Sequence, residues 1–212
     1  MGMSTQGSAG VGAGARTGVE RDVLRCGVVG VGRMGRHHAT KYATMAGSKL
    51  VGVVDDDVER RESVAETHGC GAWGTVEEMI AAGVDAVSVA VPTTAHLRSA
   101  APLLEAGVAC LIEKPLANDV DEARRLVELS EKSGAVLMVG HIERFNPAVR
   151  ALDRTTGIGN TGGSGVRHIV PRFIEVHRVS PMTFRSVDVS VVMDMMIHDL
   201  DVVLWMMGGV EP

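Results

Sequence analysis

The chain has 212 residues, enough for one large domain or for about one and a half. Its 21 basic and 26 acidic side chains leave a net charge of −5, and its aromatic residues are only 2 Trp, 1 Tyr and 3 Phe, so neither a basic footprint for nucleic acid nor a platform for stacking bases is available. No apolar run reaches the roughly 18 residues of a membrane helix, and no basic-flanked hydrophobic segment marks a secretory signal. Three widely spaced cysteines, Cys26, Cys70 and Cys110, read as reduced, buried thiols of a cytoplasmic protein.

Residues 1–22 are rich in Gly, Ala, Ser and Thr without periodicity and read as a disordered leader. A rhythm begins at Leu24. Apolar runs at Leu24–Gly30, Lys49–Asp55, Gly71–Gly74, Asp85–Val91, Val108–Ile112 and Ala135–Val139 are the expected strands. Helical patterns fill the gaps at Arg33–Ala46, Val58–His68, Thr75–Ala82, Ala95–Ala106 and Asp119–Ser133, with Gly107 and Gly134 placed to end the last two. Strands that are apolar throughout are buried on both faces, which means a parallel sheet, and their alternation with helices makes βαβ units. Residues 23–147 are therefore expected to form an α/β domain, a doubly wound parallel Rossmann sheet.

Past Pro147 the rhythm changes. A short helix over Ala148–Arg154 leads into a Gly/Thr/Ser/Asn stretch, Thr155–Gly165, expected to be a turn or linker. Val166–Val179 reads as an extended strand and Val189–Met207 as a helix. One strand and one helix cannot close a core of their own, so residues 148–212 read as the beginning of a second, incomplete domain.

Gly30-Val31-Gly32-Arg33-Met34-Gly35 fits G-x-G-x-x-G. A decoy at Gly10–Ala15 fits the related G-x-G-x-x-A but has no strand before it and no helix after it. The true copy follows an apolar run and opens a helix, and Asp55 ends the next strand 20 residues after Gly35. That is the full context of a dinucleotide-binding fingerprint. Gly30 permits the tight turn, Gly32 lets backbone approach a pyrophosphate, and Gly35 lets helix and strand pack closely. The helix N-terminus then offers free N–H groups and the positive end of its dipole. Asp55 is placed to accept from a ribose 2′-hydroxyl and to repel a 2′-phosphate, with Asp56 and Asp57 adding to the repulsion. The expected cofactor is NAD rather than NADP, although Arg33 offers a grip for a phosphate.

Three further segments follow in order: Glu113-Lys114-Pro115 after the fifth strand, Gly140-His141-Ile142-Glu143-Arg144-Phe145-Asn146-Pro147 after the sixth, and Asp194-Met195-Met196-Ile197-His198-Asp199 in the last helix. With the glycine loop they give a chain that, from Leu24 onward, resembles the Gfo/Idh/MocA oxidoreductases, the glucose–fructose oxidoreductase and inositol dehydrogenase superfamily. The resemblance implies a Rossmann domain followed by an α/β domain with a large open sheet, and hydride transfer between a nicotinamide cofactor and a carbon of a sugar or polyol. Within the superfamily the wording is most similar to the sugar-nucleotide 3-dehydrogenases that act on UDP-N-acetylglucosamine. The family assembles through its second domain, which implies a homo-oligomer for the full-length protein. The second domain is cut short relative to the family, so the alternative is a truncated nucleotide-binding module without catalysis.

Lys114 is expected at the C-terminal end of a central strand, where ligands of open α/β sheets bind, and can hydrogen-bond a reacting oxygen. The resemblance gives it that function, and gives a cis proline after it. Asp194 and His198 are spaced i, i+4 and share a helix face, with Asp201 on the same stripe. The rest of that helix is apolar, so it is expected to be buried, and its charges to be paired or functional. His198 reads as the general base of the oxidation. Asp194, by resemblance, contacts substrate or orients His198. The resemblance also places Pro92, Thr93, His96, Glu113 and Lys114 around the cofactor and Arg144 and Asn146 near nicotinamide and substrate. His96 has the equal alternative of capping a helix. Arg178 and Arg185 read as solvated charges or a grip for a substrate phosphate. No H-x-x-x-H or C-x-x-C pattern is present, and no metal site is expected.

Overall fold

The computed structural model describes residues 23–156, 171–179 and 190–207. The leader expected over 1–22, most of the expected linker and Arg185 lie outside the described residues. In chain order the elements are β1 (Leu24–Val29), α1 (Arg33–Thr44), β2 (Ser48–Val54), α2 (Val58–His68), β3 (Gly71–Trp73), α3 (Val76–Ala81), β4 (Ala86–Val89), α4 (His96–Glu105), β5 (Ala109–Ile112), α5 (Val120–Ser133), β6 (Leu137–Val139), α6 (Pro147–Thr156) and α7 (Ile197–Met206). The strands form one six-stranded sheet in the order β3-β2-β1-β4-β5-β6, parallel at every pairing. This is the doubly wound order, in which the chain reverses direction between β1 and β4 and leaves a crevice at the strand C-termini.

Alternate residues of the strands feed two apolar layers. Val28 and Val53 face α1 and α2 with Ala39, Val64 and Ala65, while Val29, Val87, Val89 and Ile112 face α3, α4 and α5 with Met79, Leu103, Leu104 and Leu126. Burial on both faces explains the continuous apolar strands. Helix starts are set by side-chain caps: Asp57 accepts from Arg60 N, Thr75 and Glu78 form a capping box, and Asp119 accepts from Glu122 N.

Three local expectations differ from the structure. Residues 171–179 are not in a strand, because a strand exists only as a paired ladder and no described segment pairs with them. The last helix opens with a π-helical turn over Val192–Met196 before α7. That helix is also not buried: Val191, Leu200 and Leu204 are exposed, since no described layer covers this side. Cys26 and Cys110 are buried, whereas Cys70 is half-buried, and all three are free thiols.

Candidate active site

The glycine loop leaves β1 and enters α1 at the crevice. Gly30 has φ +82°, and a Cβ there would meet the Val91 backbone N at 2.8 Å. A Cβ on Gly35 would lie 1.8 Å from the Gly30 carbonyl oxygen, so the helix can sit this close to the strand only without a side chain. Gly32 is different: φ is −64° and a Cβ would meet nothing within 4 Å. The space in front of Gly32 is open, and no side chain caps α1 and no acidic residue lies in its first turn. The N–H groups and positive dipole end of α1 therefore face this space unneutralised, the arrangement that receives a phosphate. A cleft of about 770 Å³ opens there, lined by Gly30, Gly32, Arg33, Met34, Asp55 and Pro92 among others.

Asp55 ends β2 in the wall of the cleft and is buried. Its carboxylate accepts from Val31 N at 2.8 Å, from Asp57 N at 2.9 Å and from Arg60 Nη1 at 3.1 Å. The first two bonds fix the carboxylate. Arg60, partly exposed, covers it from the solvent side. The charges of Asp56 and Asp57 do not simply add to that of Asp55: Asp57 caps α2 and pairs with Arg60 Nη2 at 2.9 Å, and Asp56 is exposed 4.0 Å from Arg98. The residues present fit a dinucleotide: a helix N-terminus and an uncluttered glycine for the pyrophosphate, a fixed carboxylate for the ribose hydroxyls, and Arg33 and Arg60 beside them.

Lys114 lies just past β5, and its peptide bond to Pro115 is cis. Its ammonium donates to the Asp194 carbonyl oxygen at 2.6 Å and to Asp194 Oδ1 at 3.1 Å. Asp194 thus turns to Lys114, and no hydrogen bond joins it to His198 among the described contacts. His198 Nδ1 is buried without a partner. Burial disfavours the imidazolium, and the Lys114 and Arg178 charges add to this, so the pKa of His198 lies below its ordinary value. A neutral imidazole with an unpaired ring nitrogen beside an ammonium is equipped to accept a proton.

His96 is buried at 1% exposure and does not face the cleft. Its Nδ1 lies 3.0 Å from the Pro115 carbonyl and 3.1 Å from that of Leu116, and its Nε2 lies 3.1 Å from the Val91 carbonyl. The ring ties the end of β4 to the turn after Lys114, and it caps no helix. Thr93 begins a 3₁₀ turn after Pro92. Arg144 clasps Asp201 of α7 through Nε at 2.8 Å and through Nη2, which brings the segment after β6 onto the last helix and raises the pKa of Arg144 further. Asn146 donates to Glu143 Oε2 at 3.0 Å and accepts from Ala148 N at 3.0 Å, which starts α6. Arg178 is exposed, as a solvated charge would be, and also holds Asp199 with three contacts of 2.7 to 2.9 Å.

The sequence gives His141 no role beyond its place in the segment after β6. His141 lies two residues past β6 with a buried, unbonded Nδ1, 3.7 Å from Asp201 Oδ1. Its pKa is lowered by burial, although Asp201 opposes this. Its place at the C-terminal end of a strand was the available signal. Glu113, expected beside the cofactor, bonds His38 Nε2 at 2.8 Å and does not line the cleft. Among the described residues no group of three or more His, Cys, Asp or Glu side chains is arranged to hold a metal ion, and no helix is long and apolar enough to cross a membrane.

A parallel sheet in the 3-2-1-4-5-6 order, with a glycine loop and a carboxylate in its crevice, defines a dinucleotide-binding domain. A family model described as an oxidoreductase family with an NAD-binding Rossmann fold, GFO_IDH_MocA, matches residues 24–141. The chain is 43% identical over 189 residues to UDP-N-acetylglucosamine 3-dehydrogenase of Acidithiobacillus ferrooxidans, covering 89% of this chain and 56% of that protein. It is 36% identical to myo-inositol dehydrogenase Hyg17 of Streptomyces leeuwenhoekii, covering 85% of this chain and 55% of that protein. The solved structure of UDP-N-acetylglucosamine 3-dehydrogenase GnnA from A. ferrooxidans superposes with a TM-score of 0.77 at 42% identity, over 87% of this chain and 57% of that one. That of GenD2 from gentamicin A biosynthesis, in complex with NAD, gives 0.71 at 25% identity, over 93% and 57%. This chain belongs to the Gfo/Idh/MocA oxidoreductase family. It spans about half the length of the relatives it matches.

Proposed function

We propose that the chain carries the cofactor site and the acid–base groups of an NAD-dependent dehydrogenase acting on a secondary alcohol of a sugar nucleotide. The observation that carries this reading is the juxtaposition of Lys114, clamped on Asp194, with a His198 whose buried Nδ1 has no protein partner. Gly30, Gly32, Arg33, Met34, Asp55 and Pro92 hold the dinucleotide, and bound NAD supplies the hydride acceptor for the oxidised carbon. The Lys114 ammonium donates a hydrogen bond to the reacting oxygen and stabilises the negative charge that grows there. His198 takes the hydroxyl proton, and its lowered pKa keeps it unprotonated and ready to do so. Asp194 holds Lys114 in place, and Arg144 fixes α7 through Asp201. The similarity to UDP-N-acetylglucosamine 3-dehydrogenase supports a sugar nucleotide over a free polyol.

Residues 148–212 are read as the first part of a substrate-binding and oligomerisation domain, which the exposed apolar residues of α7 support. The free thiols support a cytoplasmic placement. The test is a fluorescence titration with NADH and with NADPH, followed by absorbance assays of NADH formation with UDP-N-acetylglucosamine and with inositols. Saturable NADH binding and turnover of the sugar nucleotide are expected. NADH binding without turnover of any alcohol overturns catalysis and leaves a binding module, and no NADH binding overturns the whole reading.

A further inference from the structure

Behind the Lys114 turn lies a set of polar side chains that the reaction above does not use. His38 and Tyr42 stand four residues apart on α1 and share one face of it. They reach toward β4, where Ser88 is fully buried in an otherwise apolar strand. Tyr42 Oη is 2.7 Å from Ser88 Oγ, Ser88 Oγ is 3.1 Å from His38 Nδ1, and His38 Nε2 is 2.8 Å from Glu113 Oε1.

With the His38 ring neutral, this chain of bonds has one self-consistent direction. Burial opposes the charge of Glu113, but the His38 bond and Lys114 outweigh it and hold the carboxyl below its usual pKa range. A carboxylate only accepts, so His38 Nε2–H donates to it. Nδ1 of the neutral ring then accepts from the Ser88 hydroxyl, which in turn accepts from Tyr42. Each link has one donor and one acceptor, as a buried polar network requires if it is to fix a geometry rather than cost stability.

The network ends on the residue next to Lys114. Glu113 is closed in from the other side as well: a Cβ on Gly140 would lie 3.1 Å from Glu113 Oε2 and 3.3 Å from its Cα. Successive side chains of a strand point to opposite faces. Just past β5, Glu113 is pinned toward α1, and Lys114, the next residue, meets Asp194 instead. None of His38, Tyr42 and Ser88 lines the dinucleotide cleft.

We propose that His38 is a positioning residue, whose bond to Glu113 fixes the turn that aims the Lys114 ammonium, with Ser88 and Tyr42 fixing the His38 ring. The proposal rests on the reading of Lys114 as the group that meets the reacting oxygen.

The test uses the full 212-residue chain and does not depend on turnover. Nitrogen-15 spectra of the histidine rings read the tautomer of His38, and acetic anhydride labelling, followed by mass spectrometry, reads Lys114 against the exposed Lys132 in the same sample. His38 is expected as the Nε2–H tautomer with Nδ1 accepting. Lys114, only 16% exposed, is expected to label slowly. H38A is expected to raise its relative labelling by about fivefold, the worth of one ordinary hydrogen bond. H38Q is expected to restore the slow rate, because its amide can donate to Glu113 and accept from Ser88 together. Unchanged Lys114 labelling in a folded H38A, or an Nδ1–H tautomer of His38, overturns the proposal. If H38A loses its helical circular dichroism, the tautomer in the wild-type chain and the H38Q labelling decide. NADH titration of the same samples separates the two ideas: a wild-type chain that binds no NADH overturns the dinucleotide reading, while the tautomer and labelling still decide the role of His38.

Discussion

Gly32 and Gly35 stand three residues apart in one motif, yet the structure assigns them opposite kinds of importance, and alanine at each separates folding from binding. At Gly35 a Cβ would lie 1.8 Å from the Gly30 carbonyl oxygen. The start of α1 must then move away from β1 by more than an ångström, in a loop that Gly30 N anchors to Val54 O. Overpacking of this kind costs about 1–3 kcal/mol, often at the upper end where backbone rather than side chain must give. A loss of about 3 kcal/mol is a large share of the roughly 5–15 kcal/mol of a domain and corresponds to a fall in Tm of about 6–12 °C. At Gly32 the added methyl meets nothing within 4 Å and φ is already ordinary. The entropy gain of Gly→Ala, about 0.4–1 kcal/mol, is offset by alanine's poorer N-capping, so the Tm of Gly32→Ala should stay near wild type. Its methyl nevertheless fills the space in front of the α1 N–H groups, and NADH affinity should fall at least about tenfold, or 1.4 kcal/mol. Thermal melts with and without NADH, together with fluorescence titration, measure both quantities. A Gly32→Ala chain that binds NADH like wild type would refute the assignment of that space to the pyrophosphate. A Gly35→Ala chain with unchanged Tm would refute the packing argument.

Asp55→Ala should weaken NADH binding and bring NADPH to at least equal affinity, because Arg60 then loses its partner in the cleft; an unchanged NADH-to-NADPH ratio in the titration would show that Asp55 does not read the ribose. Lys114→Ala and His198→Ala should each cut kcat about 100-fold or more while leaving the NADH Kd within about twofold; equal loss of NADH binding in both would reassign them to the cofactor. Stability should fall on acidification through the ordinary histidine range. His141 and His198 have lowered pKa values in the folded chain, so near pH 6.5 the unfolded chain binds protons that the folded one does not, and unfolding gains as pH drops. Urea melts from about pH 8 to about pH 5 check the slope, which should be shallower in His198→Asn, and a flat profile in the wild-type chain would contradict the burial of these rings. The same lowering keeps His198 unprotonated, so turnover should persist below the pH at which an ordinary histidine base would be lost.

The sheet was legible because burial on both faces writes itself as unbroken apolar runs, and even the three-residue β3 was visible between Gly71 and Gly74. The glycine loop and Asp55 were legible because their spacing carries the geometry. What was not legible was partnership over distance. Arg144 and Asp201 are 57 residues apart, Arg178 and Asp199 are 21 apart, and no periodicity relates either pair. Asp194 was expected beside His198 from helical spacing, but the π-helical turn over Val192–Met196 interrupts the regular helix there, and Lys114, 80 residues away, claims the carboxylate. The apolar face of α7 misled in another way. A helix that is apolar all round implies a covering layer, and the described residues do not contain one.

His96 and Ser88 are polar side chains buried in apolar surroundings, a pattern visible in the sequence. Both sit among apolar neighbours near a strand end, and both were candidates for a polar group that the core must satisfy. The sequence offers His96 as a cofactor contact or a cap, whereas its ring lies among the carbonyls of Val91, Pro115 and Leu116. Ser88 lies inside the apolar run Asp85–Val91, and a hydroxyl between Val87 and Val89 on a strand buried on both faces must find a partner across the helix layer. The helix packed there carries His38 and Tyr42 at matching spacing, and the strand beside it ends at Glu113. A polar residue that interrupts a buried apolar run therefore points to a network as well as to a flaw in the pattern. Here two such residues bracket the turn of Lys114, His96 from α4 and Ser88 through His38 from α1, which is where the proposed role of that ammonium would need its supports.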